Sequence, residues 1–367
     1  MRVLMTGGGT GGHVNPAIAI ANTIREREKD SVIAFVGTER GIENKLVPKF
    51  GYKVYHVEIQ GLKRKLTLSN IKTAYLAVTS VFKAKKLVKE FKPDVVIGTG
   101  GYVCWPVVKA AADMGIPTVL HESNALPGVA VRMLEKYVDV VYTNFEATIN
   151  RLKYPEKAVR VGNPLVGGFI GEKKESDVKK GYEKLLLSYG GSLGAMRVNG
   201  EMLKVMRDYS AKHPEVLHIH ASGAIEKETA QKTFVEYGLE KYDNLQLVEY
   251  IYDMPEKMAA ADLVISRAGA MTLSELAMMN KPCILIPSPN VTDNHQYKNA
   301  VELEKKDAAV VFEEKELDEG VLTGAVSELL ADGERLAMMG KNIGGFAVRN
   351  TNELIYNGVR KLVDQKK

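Results

Sequence analysis

Twice in this chain an apolar run leads straight into a glycine-rich loop. Val3-Leu4-Met5 precedes Gly7-Gly8-Gly9-Thr10-Gly11-Gly12-His13, and Leu185-Leu186-Leu187 precedes Gly190-Gly191-Ser192-Leu193-Gly194-Ala195. A glycine loop between a strand and a helix lets backbone N–H groups come close to a phosphate, and the positive end of the helix dipole helps hold it. One such loop opening each half predicts two nucleotide-type α/β halves with a cleft between them. That arrangement suits joining a phosphorylated donor to a phosphorylated acceptor.

The 367 residues are enough for two domains with sizeable cores. We place the first at 1–163, rejoined by a C-terminal helix over 346–367, and the second at 164–345. The linker is read near Gly162-Asn163-Pro164, ahead of the Gly- and charge-rich 167–180 stretch. A formal charge of +5 is too small to point to general nucleic-acid binding. The two cysteines, Cys104 and Cys283, form no CxxC pair, which fits a reducing, cytosolic compartment. The start of the chain lacks a basic region followed by an apolar one, and no apolar run reaches the ~18 residues of a membrane span. Any membrane contact is therefore expected to be peripheral and on the cytosolic side.

Strand and helix signals alternate along both halves, which predicts doubly wound parallel sheets. Expected strands are 3–6, 32–36, 54–59, 95–98, 118–121 and 140–143, then 185–189, 217–220, 245–250, 263–266, 283–287 and 308–312. Asn15-Pro16 reads as a helix start, with Ala17, Ile20, Ala21 and Ile24 on the buried face. Residues 350–367 read as a closing helix with Leu354, Val359 and Leu362 as its apolar contacts.

Several polar groups lie at expected strand ends. Gly7, Gly9 and Gly12 fit a GxGxxG dinucleotide pattern, and Glu39 at the end of the second strand keeps an NAD-dependent reading open. His13 follows the loop directly; an imidazole there can accept a proton near neutral pH or merely close the loop. In Arg267-Ala268-Gly269-Ala270-Met271-Thr272-Leu273-Ser274-Glu275, Thr272 and Glu275 have capping-box spacing, while Glu275 also suits the two hydroxyls of a ribose. The amide-rich stretch from Asp293 to Asn299 suits a sugar or an ordinary polar surface loop. Tyr102, Glu122 and Asn124 lie at strand ends of the first half; Glu122 is open to orienting His13, contacting substrate or standing as a solvated loop charge. The 61–92 segment interleaves Lys63, Arg64, Lys65, Lys72, Lys83, Lys85, Lys86, Lys89 and Lys92 with apolar residues, as a membrane-surface helix or an ordinary amphipathic helix would. Trp105 lies in a nearby loop, open to core or membrane.

Taken in order, Gly-Gly-Thr-Gly-Gly-His at 8–13, Gly-Thr-Gly-Gly-Tyr-Val at 98–103, His-Glu-Ser-Asn at 121–124, Gly-Asn-Pro at 162–164, Gly-Gly-Ser-Leu-Gly-Ala at 190–195, Arg-Ala-Gly-Ala-Met-Thr-Leu-Ser-Glu at 267–275 and His-Gln-Tyr-Lys-Asn-Ala at 295–300 resemble the MurG family over nearly the whole chain. These are the bacterial lipid-linked N-acetylglucosaminyltransferases of peptidoglycan synthesis. The resemblance implies a GT-B fold of two Rossmann-like domains. It implies inverting transfer of GlcNAc from UDP-GlcNAc to the C4 hydroxyl of the N-acetylmuramoyl unit of lipid I, giving lipid II and UDP. A glycosyltransferase acting on another lipid such as diacylglycerol, and a UDP-sugar epimerase of the same fold, are the alternatives.

By the same resemblance His13 is the catalytic base. Thr10, Gly11, Gly12, Asn124, Ser192, Ile251, Ala270, Met271, Thr272, Leu273, Ser274, Glu275, Gln296 and Asn299 are implied donor contacts. Gly9, Gly12, His13, Gly101, Tyr102 and Glu122 are implied acceptor contacts. No metal or cofactor is implied, and the chain has no Asp-x-Asp motif. The basic segment becomes the face toward an anionic membrane, with cell-wall or division machinery as candidate partners. Two departures stand out: Leu165 and Val166 occupy positions where the family usually carries an arginine, which implies either a replacement cation such as Arg267 or a lower donor affinity, and Ser123 replaces a glutamine.

Overall fold

The structure, a computed structural model, describes residues 1–59, 68–165, 169, 177–191, 193–318 and 320–366, with 68–78 as helical backbone only. Lys63, Arg64, Lys65, Val166 and Ser192 lie outside the described residues. The chain divides into two compact units, Met1–Val166 with Val348–Lys367, and Gly167–Ala347.

The first unit holds strands β1 (Arg2–Thr6), β2 (Val32–Gly37), β3 (Lys53–His56), β4 (Val95–Gly98), β5 (Thr118–Glu122), β6 (Val140–Thr143) and β7 (Ala158–Arg160). Their order is β3-β2-β1-β4-β5-β6-β7, parallel throughout. Val3, Leu4, Met5, Val95, Val96 and Ile97 have no exposed surface, because helices cover both faces of a parallel sheet. The second unit holds β8 (Lys184–Tyr189), β9 (Val216–Ala221), β10 (Leu245–Val248), β11 (Leu263–Ser266), β12 (Cys283–Leu285) and β13 (Val310–Val311), in the order β10-β9-β8-β11-β12-β13, again parallel.

Each order reverses beside the strand that carries a glycine loop. β1 pairs with β2 on one side and β4 on the other, so the loops after β1 and β4 are neighbours, with Thr6 opposite Gly98. Likewise β8 pairs with β9 and β11, and Tyr189 lies opposite Ser266. Ligands of open α/β sheets bind at such switch points, beyond the carboxyl ends of the strands.

Several sequence expectations need correction. The first helix runs Gly11–Arg27 with Thr10 as its N-cap, so Pro16 lies inside it rather than at its start. Proline there removes one hydrogen bond, to the Gly12 carbonyl, near an end whose donors are partly unpaired anyway. The expected face is nonetheless correct: Ala17, Ile20, Ala21 and Ile24 are buried. The closing helix, Thr351–Lys366, buries Ile355, Val359 and Val363 at fourfold spacing against that same core, and Leu354 is exposed. Burying each such side chain stabilises the unit by roughly 2 kcal/mol. Strand β7 escapes the sequence reading: it is three residues long, lies at the sheet edge and buries none of them. Among the described residues no helix is long and apolar enough to cross a membrane.

Candidate active site

At the switch point of the first unit two glycine loops interlock. The Gly8 amide donates to the Gly100 carbonyl at 3.3 Å. Gly101, at φ +84°, packs so closely that a β-carbon there would stand 2.3 Å from the Gly8 oxygen; one on Gly100 would stand 2.6 Å from the His13 ring. Thr10 caps the helix by backbone alone, so the N–H groups opening at Gly11 and Gly12 lack intrahelical partners. Tyr102 is exposed and faces Gly9.

His13 is half-buried and held at three points. Nδ1 lies 3.0 Å from the Gly8 carbonyl oxygen and 3.4 Å from Thr10 Oγ1, while Thr99 Oγ1 donates to the His13 carbonyl at 2.7 Å. A carbonyl oxygen only accepts, so Nδ1 carries the proton and Nε2 the lone pair.

Beneath this loop sits Glu43, which the sequence reading missed. Its carboxylate is buried and accepts from Gly9 N (3.3 Å), Thr38 N (2.8 Å) and Thr38 Oγ1 (3.1 Å). Gly8, Gly37 and Gly41 make room for it; a β-carbon on any of them would stand within 3 Å of its side chain. Glycines at 37 and 41 flanking an acidic residue were the available signal. Glu39, considered for a dinucleotide ribose, is exposed instead.

Glu122 is buried, which corrects the reading of a solvated charge. One carboxylate oxygen accepts from the backbone and side-chain nitrogens of Asn124, at 2.9 and 3.1 Å, and the other accepts from Gly128 N at 2.7 Å. Its work is to shape the 122–128 loop that presents Asn124, rather than to orient His13.

In the second unit a cavity of about 420 Å³ opens at the switch point, lined by Gly190, Gly194, Ala195, Met196, Arg197, Arg267, Ser288, Asn290, Gln296 and Glu314. The helix Met196–Asp208 starts here with no side-chain cap, leaving its first amides to a ligand. Gly194 and Gly223, both at positive φ, pack backbone on backbone: a β-carbon on Gly223 would stand 2.1 Å from Gly194 N. Arg267 donates through Nη1 to the carbonyls of Ile286 (3.1 Å) and Pro287 (3.2 Å), and Nη2 pairs with Glu314. Arg197, unremarked in the sequence, pairs with Glu201 at 3.3 Å and donates to Leu317 O. Gln296 Oε1 accepts from Ser288 N at 2.9 Å, fixing its amide at the cavity wall.

The helix Ala270–Met278 is capped by Gly269. The capping box expected of Thr272 and Glu275 does not form, because the N-cap is Gly269, three residues before the Thr272 that the box requires. Glu275 then lies in the second turn with no side-chain partner among the described residues, and burial raises its carboxyl to about 8. Ser274 Oγ donates back to Ala270 O at 3.0 Å, and the Leu273 side chain is in the core. Met271 and Thr272 are half-buried. Asn299 is fully buried, with its amide 3.4 Å from Ala268 O, a contact to the 267–269 loop. Ile251 is buried between exposed Tyr250 and Tyr252.

One buried polar chain was invisible to motif reading. Asn199 Nδ2 donates to Ser222 O (2.9 Å), so Asn199 Oδ1 accepts from His220 Nε2 (3.1 Å). His220 Nδ1 then accepts from Ser188 Oγ (2.9 Å), Ser188 accepts from His218 Nε2 (3.0 Å), and His218 Nδ1 accepts from Ser210 Oγ (2.9 Å). Every proton has one place, and burial lowers His220 to about 4 and His218 well below the ordinary value, keeping both rings neutral. The chain ends at Ser222 O, against which Gly194 packs. His218 and His220 share a face of β9 because strand side chains alternate, and that spacing was the available signal.

The chain matches the glycosyltransferase family 28 N-terminal domain over residues 3–143 and its C-terminal domain over 185–355. It is 40% identical over 370 residues to the UDP-N-acetylglucosamine–N-acetylmuramyl-(pentapeptide) pyrophosphoryl-undecaprenol N-acetylglucosamine transferase of Acetivibrio thermocellus, covering 100% of this chain and 99% of that protein. It is 42% identical over 368 residues to the protein of the same name from Caldanaerobacter subterraneus subsp. tengcongensis, covering 99% and 100%. The crystal structure of Acinetobacter baumannii MurG superposes with a TM-score of 0.79 at 27% identity, covering 98% of this chain and 99% of that one. The two parallel-sheet domains are those of a GT-B glycosyltransferase, and the chain belongs to the MurG family.

Proposed function

We propose that this chain performs the family's reaction as a single in-line displacement, in which the C4 hydroxyl of the N-acetylmuramoyl unit of lipid I attacks C1 of the donor GlcNAc and His13 Nε2 takes the hydroxyl proton. The chain is a UDP-GlcNAc-dependent N-acetylglucosaminyltransferase of peptidoglycan synthesis, producing lipid II and UDP. The bond from C1 to the diphosphate oxygen breaks as the new glycosidic bond forms, so the anomeric centre inverts. His13 carries this reading. Its Nδ1–H rests on the Gly8 carbonyl, which leaves Nε2 basic and stabilises the imidazolium once it forms.

The donor half rests on the second unit. The uncapped helix start at Met196, the glycine loop and two arginines supply positive potential for the leaving diphosphate. Arg267 and Arg197 stand in for the arginine absent at Leu165 and Val166. Glu275, without a side-chain partner among the described residues, suits the ribose hydroxyls.

The membrane half of the reading is peripheral attachment to the cytoplasmic face. The helix Leu68–Phe91 buries Ala84 and Val88 and turns outward Phe82, 68% exposed, among exposed Lys83, Lys86 and Lys89. A large apolar side chain ringed by lysines suits anionic headgroups.

The test is UDP release from UDP-GlcNAc with and without a lipid I analogue, with product analysis. Acceptor-dependent release and a β-1,4-linked disaccharide support the reading. Consumption of UDP-GlcNAc that neither needs nor uses the acceptor overturns it in favour of an epimerase or a hydrolase.

A further inference from the structure

We propose that Glu314 is an internal competitor for the donor's diphosphate, holding the edge of Arg267 that phosphate oxygens take when UDP-GlcNAc or UDP binds. This rests on the reading that the diphosphate binds in the cavity of the second unit.

Three observations carry it. Arg267 does not need Glu314 to be aimed. It is 14% exposed, and its Nη1 is already fixed by the Ile286 and Pro287 carbonyls, so Nη2 projects along a set direction whether or not a carboxylate meets it. Glu314 in turn does not need Arg267 to be placed. It opens a short 3₁₀ turn, Glu314–Glu316, that is closed by its own reciprocal capping, with Glu313 N donating to the Glu316 carboxylate at 2.7 Å. The nearest lysine in the turn, Lys315, is paired with Glu313 at 2.8 Å and leaves Glu314 to the arginine.

The third observation is location. Arg267 and Glu314 line the same cavity as Gly190 and Gly194, whose backbone is suited to phosphate. A carboxylate facing such a cavity repels an incoming anion and satisfies the cation meant for it. Phosphate and Glu314 therefore compete for the Nη2 donors. Because donor and product share the diphosphate, the competition weakens the hold on both and favours UDP departure after transfer.

The experiment is calorimetric titration of the full chain with UDP, UDP-GlcNAc and uridine, for wild type, Glu314→Gln, Arg267→Gln and the double variant, each checked for an unaltered melting curve. Glu314→Ala serves as a second variant. We expect Glu314→Gln to tighten UDP by about fivefold, the size of a partly exposed ion pair. The gain should vanish in the double variant, and uridine should bind both forms equally. UDP product inhibition should tighten by the same factor. If Arg267→Gln weakens UDP while Glu314→Gln leaves it unchanged or weakens it, Glu314 positions Arg267 and the competitor role is overturned. If Arg267→Gln leaves UDP affinity as in wild type, the diphosphate does not bind in this cavity, and the donor-site reading falls with the proposal.

Discussion

The Nδ1 atom of His13 lies 3.0 Å from the carbonyl oxygen of Gly8, and that contact settles which ring nitrogen can take a proton. His13→Ala should lower kcat by about 10²- to 10⁴-fold, the range of a general base, with UDP affinity unchanged. Turnover within a few-fold of wild type would remove His13 as the base.

The support under that contact is Gly101. Gly101→Ala places a β-carbon 2.3 Å from Gly8 O at φ +84°, so the Gly8 carbonyl must move. We expect a loss of about 3 kcal/mol in stability together with a fall in kcat. Gly115→Ala, at φ +72° with nothing within 4 Å, is the control and should cost only about 1 kcal/mol with kcat intact. Denaturant unfolding and initial rates on both variants make the comparison; equal behaviour would mean the loop contact is slack.

Burial holds the Glu275 carboxyl up to about 8, against an ordinary value of 4.5, so below pH 8 the group is mostly protonated. Ribose hydroxyls donate best to the carboxylate. The KM for UDP-GlcNAc should therefore fall as pH rises towards 8. In Glu275→Gln it should be flat and, at pH 8, about tenfold higher, a loss of ~1.4 kcal/mol. A wild-type KM independent of pH over this window refutes the ribose role.

His121 and His220 are held down to about 4 by burial, and His218 well below 6.5. Each is neutral when folded and gains its proton on unfolding below pH 6.5. Stability is therefore full above 6.5 and falls as pH drops towards 4, by about 2 kcal/mol at pH 5 for each of His121 and His220. Melting temperature against pH should show this decline. His121→Gln should make it shallower; an unchanged slope shows that the titration lies elsewhere.

Phe82 and its lysines make the membrane reading measurable. Phe82→Ser with Lys86→Gln and Lys89→Gln should weaken binding to anionic vesicles by about 1 kcal/mol per charge removed, plus the lost ring. Sedimentation with neutral vesicles should show only the part due to the lost ring. Equal binding to anionic vesicles by wild type and variant would leave these side chains merely solvated.

What could be read without coordinates was local. An apolar run followed by glycines marks β1 and β8 and their loops, because strand burial and phosphate approach depend on consecutive residues. The face of the first helix was legible for the same reason: Ala17, Ile20, Ala21 and Ile24 follow a helical period. The helix starts were not. Asn15-Pro16 looked like a beginning, yet Thr10 is the cap; Thr272 and Glu275 looked like a capping box, yet Gly269 takes that place. In both cases the loop that closes the switch point, not the local signal, determines where the helix begins.

The amino-acid order by itself determined the two-unit α/β plan, the two glycine loops, His13 beside the first of them and the family. Tertiary structure decided what each polar side chain does. Glu43 props the loop from below, Glu122 holds the 122–128 loop, Asn299 touches the 267–269 loop, His218 and His220 complete a buried chain, and Glu314 meets Arg267. The physical reason is distance along the chain. Backbone conformation answers to near neighbours, whereas desolvation and hydrogen bonding answer to whatever the fold brings alongside: Gly9 and Glu43 are 34 residues apart, and Arg267 and Glu314 are 47.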